Sequence, residues 1–311
     1  MRYDCLIVDV ANVAHRVFDH KNDTASFVSK KQVYKRAVCN FIQYIEQLVD
    51  THLHSGGDVY MLFDNQTSRV DLQSTFYFAD RKEAYAKYKA DRAKQPKEFY
   101  NSINLLKFYY LTMPANYHAI QISRLEADDL VEPLLRTVCK DKTALLVTND
   151  LDWARFLTDK VQWIPKGDVV EAAEDLAMRL GFAVSKKSIT AYKVLFGDAS
   201  DNIPSIVPKK LESYFPILLD MLDDANDLPL IATKENLAER CPILPHVFEH
   251  SRQCRINLQL VNSIPIADKH LLNAMGNGRD SVVSQKAVRQ AIGLDDVAEG
   301  FKFGGLRRPR I

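Results

Sequence analysis

Nine carboxylates stand where a fold would bring them together. Asp9 closes the apolar run Cys5-Leu-Ile-Val-Asp9, and Asp64 follows Val59-Tyr-Met-Leu-Phe63. Asp150 and Asp152 follow Ala144-Leu-Leu-Val-Thr148. Glu126-Ala-Asp128-Asp129 opens a helical pattern, and Asp198-Ala-Ser-Asp201 follows one that ends at Phe196-Gly197. Each cluster alone reads as an ordinary turn or helix cap. Five clusters in one chain point instead to a shared cleft, where like charges a few Å apart could not all stay ionised without cations. All-oxygen ligation selects hard ions, Mg²⁺ with Mn²⁺ as a substitute, over zinc. Two such ions roughly 3.5–4 Å apart clamp a phosphodiester for in-line attack.

The elements that must position these acids alternate. Strand patterns at 5–9, 59–63, 117–122, 144–148 and 161–164 are separated by helical patterns at 32–52, 101–111, 127–139 and 150–157. This alternation predicts an α/β fold with a central, mostly parallel sheet and helices on both faces. Ligands in such sheets bind beyond the carboxyl ends of the strands, where Asp9, Asp64 and Asp150 stand. From about residue 170 the strand signals fade. Helices are expected at 171–181, 186–196, 209–222, 246–261 and 282–292, so the C-terminal region is mainly α-helical.

The chain has 311 residues, 47% hydrophobic and 26% charged, with a net charge of +1. That balance buries a core and excludes disorder throughout. No run of 18 or more apolar residues exists, so no membrane partner is expected. The N-terminal apolar run is too short and too acidic for a secretory signal. Five scattered cysteines without a CxxC suit a reducing compartment, and a cytoplasmic location is expected.

The near-neutral total hides a local bias. Residues 81–97 hold seven Lys or Arg against two acids, and Tyr77, Tyr85, Tyr88, Phe99 and Tyr100 interleave with them. Basic residues track phosphates while aromatic faces stack the bases of a single strand. The competing reading is a solvated charged helix.

In order, these motifs resemble the 5′-nuclease superfamily of flap endonucleases and 5′→3′ exonucleases. Leu6-Ile-Val-Asp9-Val-Ala-Asn12, Leu62-Phe-Asp64, Tyr85-Ala-Lys87-Tyr88-Lys89-Ala-Asp-Arg92, Glu126-Ala-Asp128-Asp129, Thr148-Asn-Asp150-Leu-Asp152 and Gly197-Asp198-Ala-Ser-Asp201-Asn-Ile carry the likeness, over roughly residues 4–205. Helical content and length beyond that span resemble the ribonuclease H branch found in T-even-like bacteriophages. One stretch departs from the family. A Gly-rich hairpin of the form GxxGxGxK normally holds the duplex backbone with a monovalent cation. Here Asp201-Asn-Ile-Pro204-Ser-Ile-Val-Pro208-Lys209-Lys210 lacks the glycines, and its prolines lack N–H donors. Lys209 and Lys210 remain to neutralise phosphates.

The resemblance implies roles. Asp9, Asp64, Glu126 and Asp128 would serve a first metal, and Asp150, Asp152 and Asp198 a second, with Asp129 and Asp201 acting through water. Lys89 and Arg92 would contact the scissile phosphate and developing charge. Lys87 and Tyr88 would bind the strand, Tyr88 by stacking a base. The implied activity is hydrolysis giving 5′-phosphates: 5′→3′ exonuclease, flap endonuclease and RNase H-type removal of RNA primers in replication. The implied partners are DNA with 5′ ends or flaps, RNA–DNA hybrid and a single-strand-binding protein, met by a monomer. The implied organisation is a metallonuclease domain at 1–170 with a basic arch at 77–100, a helical DNA-binding domain at 171–300 and a flexible basic tail at 301–311. A PIN-like ribonuclease and a non-catalytic DNA-structure-binding protein are the alternatives. A rival zinc set, Cys241, His246, His250 and Cys254, matches no common ligand spacing and reads more simply as helix packing.

Overall fold

The computed structural model describes residues 2–18, 30–65, 85–91, 95–231, 239 and 241–276. Six strands form one sheet: β1 (Tyr3–Asp9), β2 (Leu53–Leu62), β3 (Tyr117–Ile120), β4 (Ala144–Val147), β5 (Val161–Lys166) and β6 (Val169–Glu171). Their spatial order is β3-β2-β1-β4-β5-β6, parallel except for the antiparallel β5–β6 pair. From β1 the chain first builds outward through β2 and β3, then returns to β4 on the other side. The β1–β4 junction is therefore the topological switch point, where a crevice opens beyond the strand ends.

Alternation along each strand sorts its residues between two cores, because successive side chains point to opposite faces. Leu6, Val8, Val59, Met61, Leu145 and Val147 pack beneath helices α1 (Val10–Val17), α2 (Lys30–His52) and α3 (Lys97–Leu111). Cys5, Ile7, Tyr60, Leu62, Ala144 and Leu146 face α4 (Ala127–Arg136) and the helices that follow the sheet. Those include α5 (Ala173–Leu180), α6 (Lys186–Phe196), α7 (Phe215–Asp220), α8 (Leu244–Glu249), α9 (Ser251–Val261) and α10 (Asp268–Gly276), with a single turn of helix at Leu228–Ile231 between α7 and α8. The second core is continuous from the sheet into these helices.

Several expected elements differ in detail. α1 starts with no intervening loop, because the Asp9 carboxylate caps it by accepting from the Asn12 amide at 3.0 Å. The helix expected over 209–222 divides into a 3₁₀ turn, Lys209–Tyr214, and α7, whose first turn carries Pro216. That over 246–261 divides at His250 into α8 and α9. Residues 151–156 are a 3₁₀ turn, and β6 had no strand signal. The helix expected at 282–292, the tail at 301–311 and residues 77–84 and 92–94 of the arch lie outside the described residues. Within that arch, residues 86–91 form turns. Among the described residues no helix is long and apolar enough to cross a membrane.

Candidate metal and nucleic-acid site

A cleft of about 1560 Å³ opens beyond the strand ends, lined by Asp9, Asp64, Glu126, Asp128, Asp150, Asp152 and Asp198. Thus seven of the nine predicted carboxylates line one space, contributed by three strand ends, one helix start, one 3₁₀ turn and the α6 C-terminus.

At the switch point, β1 and β4 deliver Asp9 and Asp150. Asp9 is buried and accepts from Thr148 Oγ1 at 3.2 Å besides capping α1. Asn12 and Asn149 tie the two strand ends reciprocally: Asn12 Nδ2 donates to Asn149 Oδ1 at 2.6 Å, and the Asn149 amide donates to Asn12 Oδ1 at 3.0 Å. Asp150 then caps the 3₁₀ turn by accepting from the Asp152 amide at 3.0 Å. That turn aims Asp152 inward and buries Trp153.

Asp64 leaves β2 and accepts from the Ala127 amide at 2.7 Å, the first amide of α4. The N-terminal dipole of α4 favours this negative charge. Glu126, immediately before α4, receives the Lys89 ammonium at 2.7 Å from each carboxylate oxygen. Lys89 sits in the left-handed region (φ 52°) and is held there by donation of its amide to Asp201 O at 3.0 Å. Its ammonium is also 3.7 Å from Asp201 Oδ2.

The far side is organised by two cations that carried no sequence signal. Lys193, buried on α6, places Nζ 2.6 Å from Asp152 Oδ1 and 2.6 Å from Asp198 Oδ2. Arg155, also buried, reaches Asp128 Oδ2 at 3.3 Å and donates to Val261 O at 2.6 Å. Asp198 is presented by Gly197 at φ +75°, where a Cβ would lie 2.5 Å from Ile203 O, so only glycine fits. Oxygens of Asp152, Asp198 and Asp201 all lie within 4.8 Å of one another, a spacing that can hold one ion.

The electrostatics record the crowding. Burial and then the charge of Asp64 push the Asp9 carboxyl well above its usual range. Burial, with Glu126 next, pushes Asp64 up to about 6. Burial, with Asp152 next, pushes Asp150 up to about 6. Burial also opposes ionisation of Asp198, but Lys193 and the Ser200 hydrogen bonds outweigh it and hold that group at about 2. Burial would depress the Lys193 ammonium, yet Asp152, Asp150 and Asp198 keep it firmly protonated. The floor of the cleft is therefore short of positive charge near Asp9, Asp64 and Asp150, and supplied with it near Asp198.

Some predicted residues sit elsewhere. Asp129 is fully buried away from the cleft, and its two oxygens accept from the Glu126 amide at 3.1 Å and the Ile264 amide at 2.9 Å. It clips the segment after α9 to α4 rather than facing an ion. Tyr88 is buried, not open to a base; its hydroxyl lies 3.1 Å from Glu126 Oε2 and 3.2 Å from Asp201 Oδ2. Lys87 is exposed. Lys209 and Lys210 are exposed and do not line the cleft, although Lys209 is engaged with Glu212 and with the hydroxyl of cleft-lining Tyr192, each at 2.7 Å. Arg92 and Tyr77 lie outside the described residues. In the rival zinc set, Cys241 and Cys254 are buried thiols, Cys254 pushed up to about 12 by burial, while His250 is exposed at the α8–α9 break.

Known proteins carry the same framework. Residues 4–181 match the family model of the 5′-3′ exonuclease N-terminal, resolvase-like domain. The chain is 30% identical over 128 residues to a thermostable DNA polymerase I of Thermus filiformis, and 30% identical over 125 residues to DNA polymerase I of Deinococcus radiodurans. Each match covers 40% of this chain, but only 15% and 13% of the respective polymerase. Two solved structures are similar nearly end to end. The flap endonuclease of bacteriophage T5, in a complex with DNA and metal ions, superposes with a TM-score of 0.61 at 19% identity, covering 94% of this chain and 99% of that one. T5 5′-exonuclease with bound zinc gives a TM-score of 0.59 at 18% identity, covering 95% and 98%. At these identities the structures establish a common fold, and the family match, which takes in more than half of the residues, establishes kinship: the protein belongs to the 5′-3′ exonuclease family of the 5′-nuclease superfamily.

Proposed function

We propose that this protein is a metal-dependent, structure-specific 5′-nuclease. It trims 5′ ends exonucleolytically, cuts 5′ flaps at the junction and removes RNA paired to DNA, leaving 5′-phosphates. The observation that carries this reading is the gathering of seven carboxylates, from elements far apart in sequence, around one cleft with Lys89 at its edge. Substrates are DNA with 5′ ends or flaps and RNA–DNA hybrid. A single-strand-binding protein is the proposed partner for the tail at 301–311. Residues 1–170 form the proposed catalytic unit, and residues 171–300 the proposed duplex-binding one.

The donor set fits divalent cations. It is entirely oxygen, it suits Mg²⁺ or Mn²⁺, and its carboxyls resist ionisation without added positive charge. Asp9, Asp64, Glu126 and Asp128 would hold one ion, and Asp150, Asp152 and Asp198 a second, with Asp201 close to the latter. Bound there, such ions lower the pKa of water and neutralise phosphate charge. The chain's own groups do the rest. Lys89, once its ammonium exchanges Glu126 for a phosphate oxygen, steadies developing negative charge. Lys193 fixes Asp152 and Asp198 at a constant separation, and Asn12 with Asn149 does the same for the turns bearing Asp9 and Asp150. Exposed Lys87 and the Lys209–Lys210 pair would meet phosphates farther along the strand and duplex.

The test is incubation of purified protein with 5′-labelled flap, duplex and RNA–DNA hybrid, with and without Mg²⁺. Short 5′-phosphate products that require the ion support the proposal. Cleavage confined to RNA supports a PIN-like ribonuclease, and shifted but intact substrate supports a non-catalytic binder.

A further inference from the structure

Five aromatic residues interleave with the basic stretch, and their burial sorts them. Tyr88 and Phe99 are buried, Tyr85 is half-buried, and Tyr77 lies outside the described residues. Tyr100 alone of the described four is open, at 53% exposure, and it lines the acidic cleft. It stands on α3, on the wall that also carries His15, Ile103 and Asn104.

Tyr100 is exposed but not loosely mounted. Phe99, buried beneath it, meets the Tyr100 ring edge-on, with centroids 5.8 Å apart and planes at 88°. Phe99 is itself fixed by a face-to-face stack on His15 (4.5 Å, 24°) and an edge contact from Phe18 (5.6 Å, 74°). The result is a braced aromatic ledge lining the same cleft as the carboxylates. An aromatic ring held in place loses little conformational freedom on binding, and its open π-face accepts any nucleobase without reading sequence. The lining of the cleft thus suits the two halves of a nucleotide: carboxylates that can hold ions for the phosphate, an aromatic face for the base.

Resting on the nuclease reading above, we propose that Tyr100 is a positioning residue that stacks an unpaired nucleobase beside the phosphate held over the acids. A neutral, planar base is the occupant favoured here, because the ledge is continuous with the cleft that takes the phosphate.

The test uses a 5′-flap DNA carrying 2-aminopurine at successive positions around the cleavage point, bound in Ca²⁺ so that it stays intact, with cleavage then measured in Mg²⁺. In the wild type one position is expected to show quenched fluorescence. Tyr100→Ala should abolish that quenching and weaken binding roughly tenfold, the loss of one base–aromatic stack. Tyr100→Phe should retain both. Phe108→Ala, exposed on the same helix but outside the cleft, should match the wild type. A Tyr100→Ala protein that folds, quenches and binds like a wild type competent in flap cleavage overturns the ledge and leaves the nuclease reading standing. A wild type that neither binds nor cuts any 5′-ended DNA overturns both.

Discussion

The ammonium of Lys193 lies 2.6 Å from Asp198, five residues ahead across the end of α6, and 2.6 Å from Asp152 on a different element. One buried lysine thereby staples two carboxylates of the proposed second ion site. Removing it leaves like charges facing one another in a buried setting, at a cost of about 3 kcal/mol. Lys193→Met is therefore expected to melt markedly lower than wild type in EDTA, and to recover more of its stability on adding Mg²⁺. Equal melting shifts for both proteins, read by circular dichroism, would show that Lys193 is not the counter-charge.

Proton linkage gives a second expectation. Asp64 and Asp150 titrate near 6 in the ion-free fold, above the carboxyl value of the unfolded chain. Groups raised in this way favour the fold below about pH 4 and lose that contribution as pH climbs through 6. Thermal stability in EDTA should thus fall between pH 4 and pH 7, and saturating Mg²⁺ should flatten the decline. Asp198 has the opposite sign, its contribution being lost only as pH falls toward 2. A melting temperature in EDTA that rises steadily to pH 7 would contradict this account of the cleft.

Lys89 separates chemistry from grip. Its ammonium already points to the carboxylates, not along the outer surface. Lys89→Ala should lower single-turnover cleavage about 10²-fold or more while changing duplex affinity far less. Equal losses in rate and in fluorescence-anisotropy affinity would assign it to binding alone.

Tyr88 and Asp129 distinguish scaffold from site. Tyr88→Phe deletes a hydroxyl shared between Glu126 and Asp201, and should cost about 1 kcal/mol of stability with no loss of single-strand affinity. Asp129→Asn turns an amide toward backbone donors, and should destabilise by about 1–3 kcal/mol while leaving ion affinity in calorimetry unchanged. Asp128→Asn should instead lower ion affinity, and by weakening the pair with buried Arg155 it should cost stability as well. If Asp129→Asn abolished ion binding without unfolding, the clip assignment would fail.

What was legible in the sequence followed from periodicity. Cys5–Asp9, Val59–Phe63 and Ala144–Thr148 read as buried strands because parallel strands are apolar on both faces, and an acid at the end of each marked the open edge of the sheet. The cations were not legible. Lys193 sits within Ala191-Tyr-Lys193-Val-Leu-Phe, where a lysine reads as the solvent side of a helix, and only the tertiary approach of Asp152 makes it internal. Arg155 was hidden in the same way inside a turn. Tyr88 and Asp129 misled for the complementary reason: an aromatic in a basic run and an acid in an acidic run share their neighbours' types, and one residue of offset turns a side chain from cleft to core. β6 is three residues long and pairs through a Gly167-Asp168 turn, too short for any period to register.

The gathering of acids around divalent ions is tested most directly by anomalous scattering from crystals soaked in Mn²⁺. The expected map has peaks inside the cleft, one bounded by Asp9, Asp64, Glu126 and Asp128 and another by Asp150, Asp152 and Asp198. A cleft empty of anomalous density at saturating Mn²⁺, together with undiminished flap cleavage in EDTA, would contradict it.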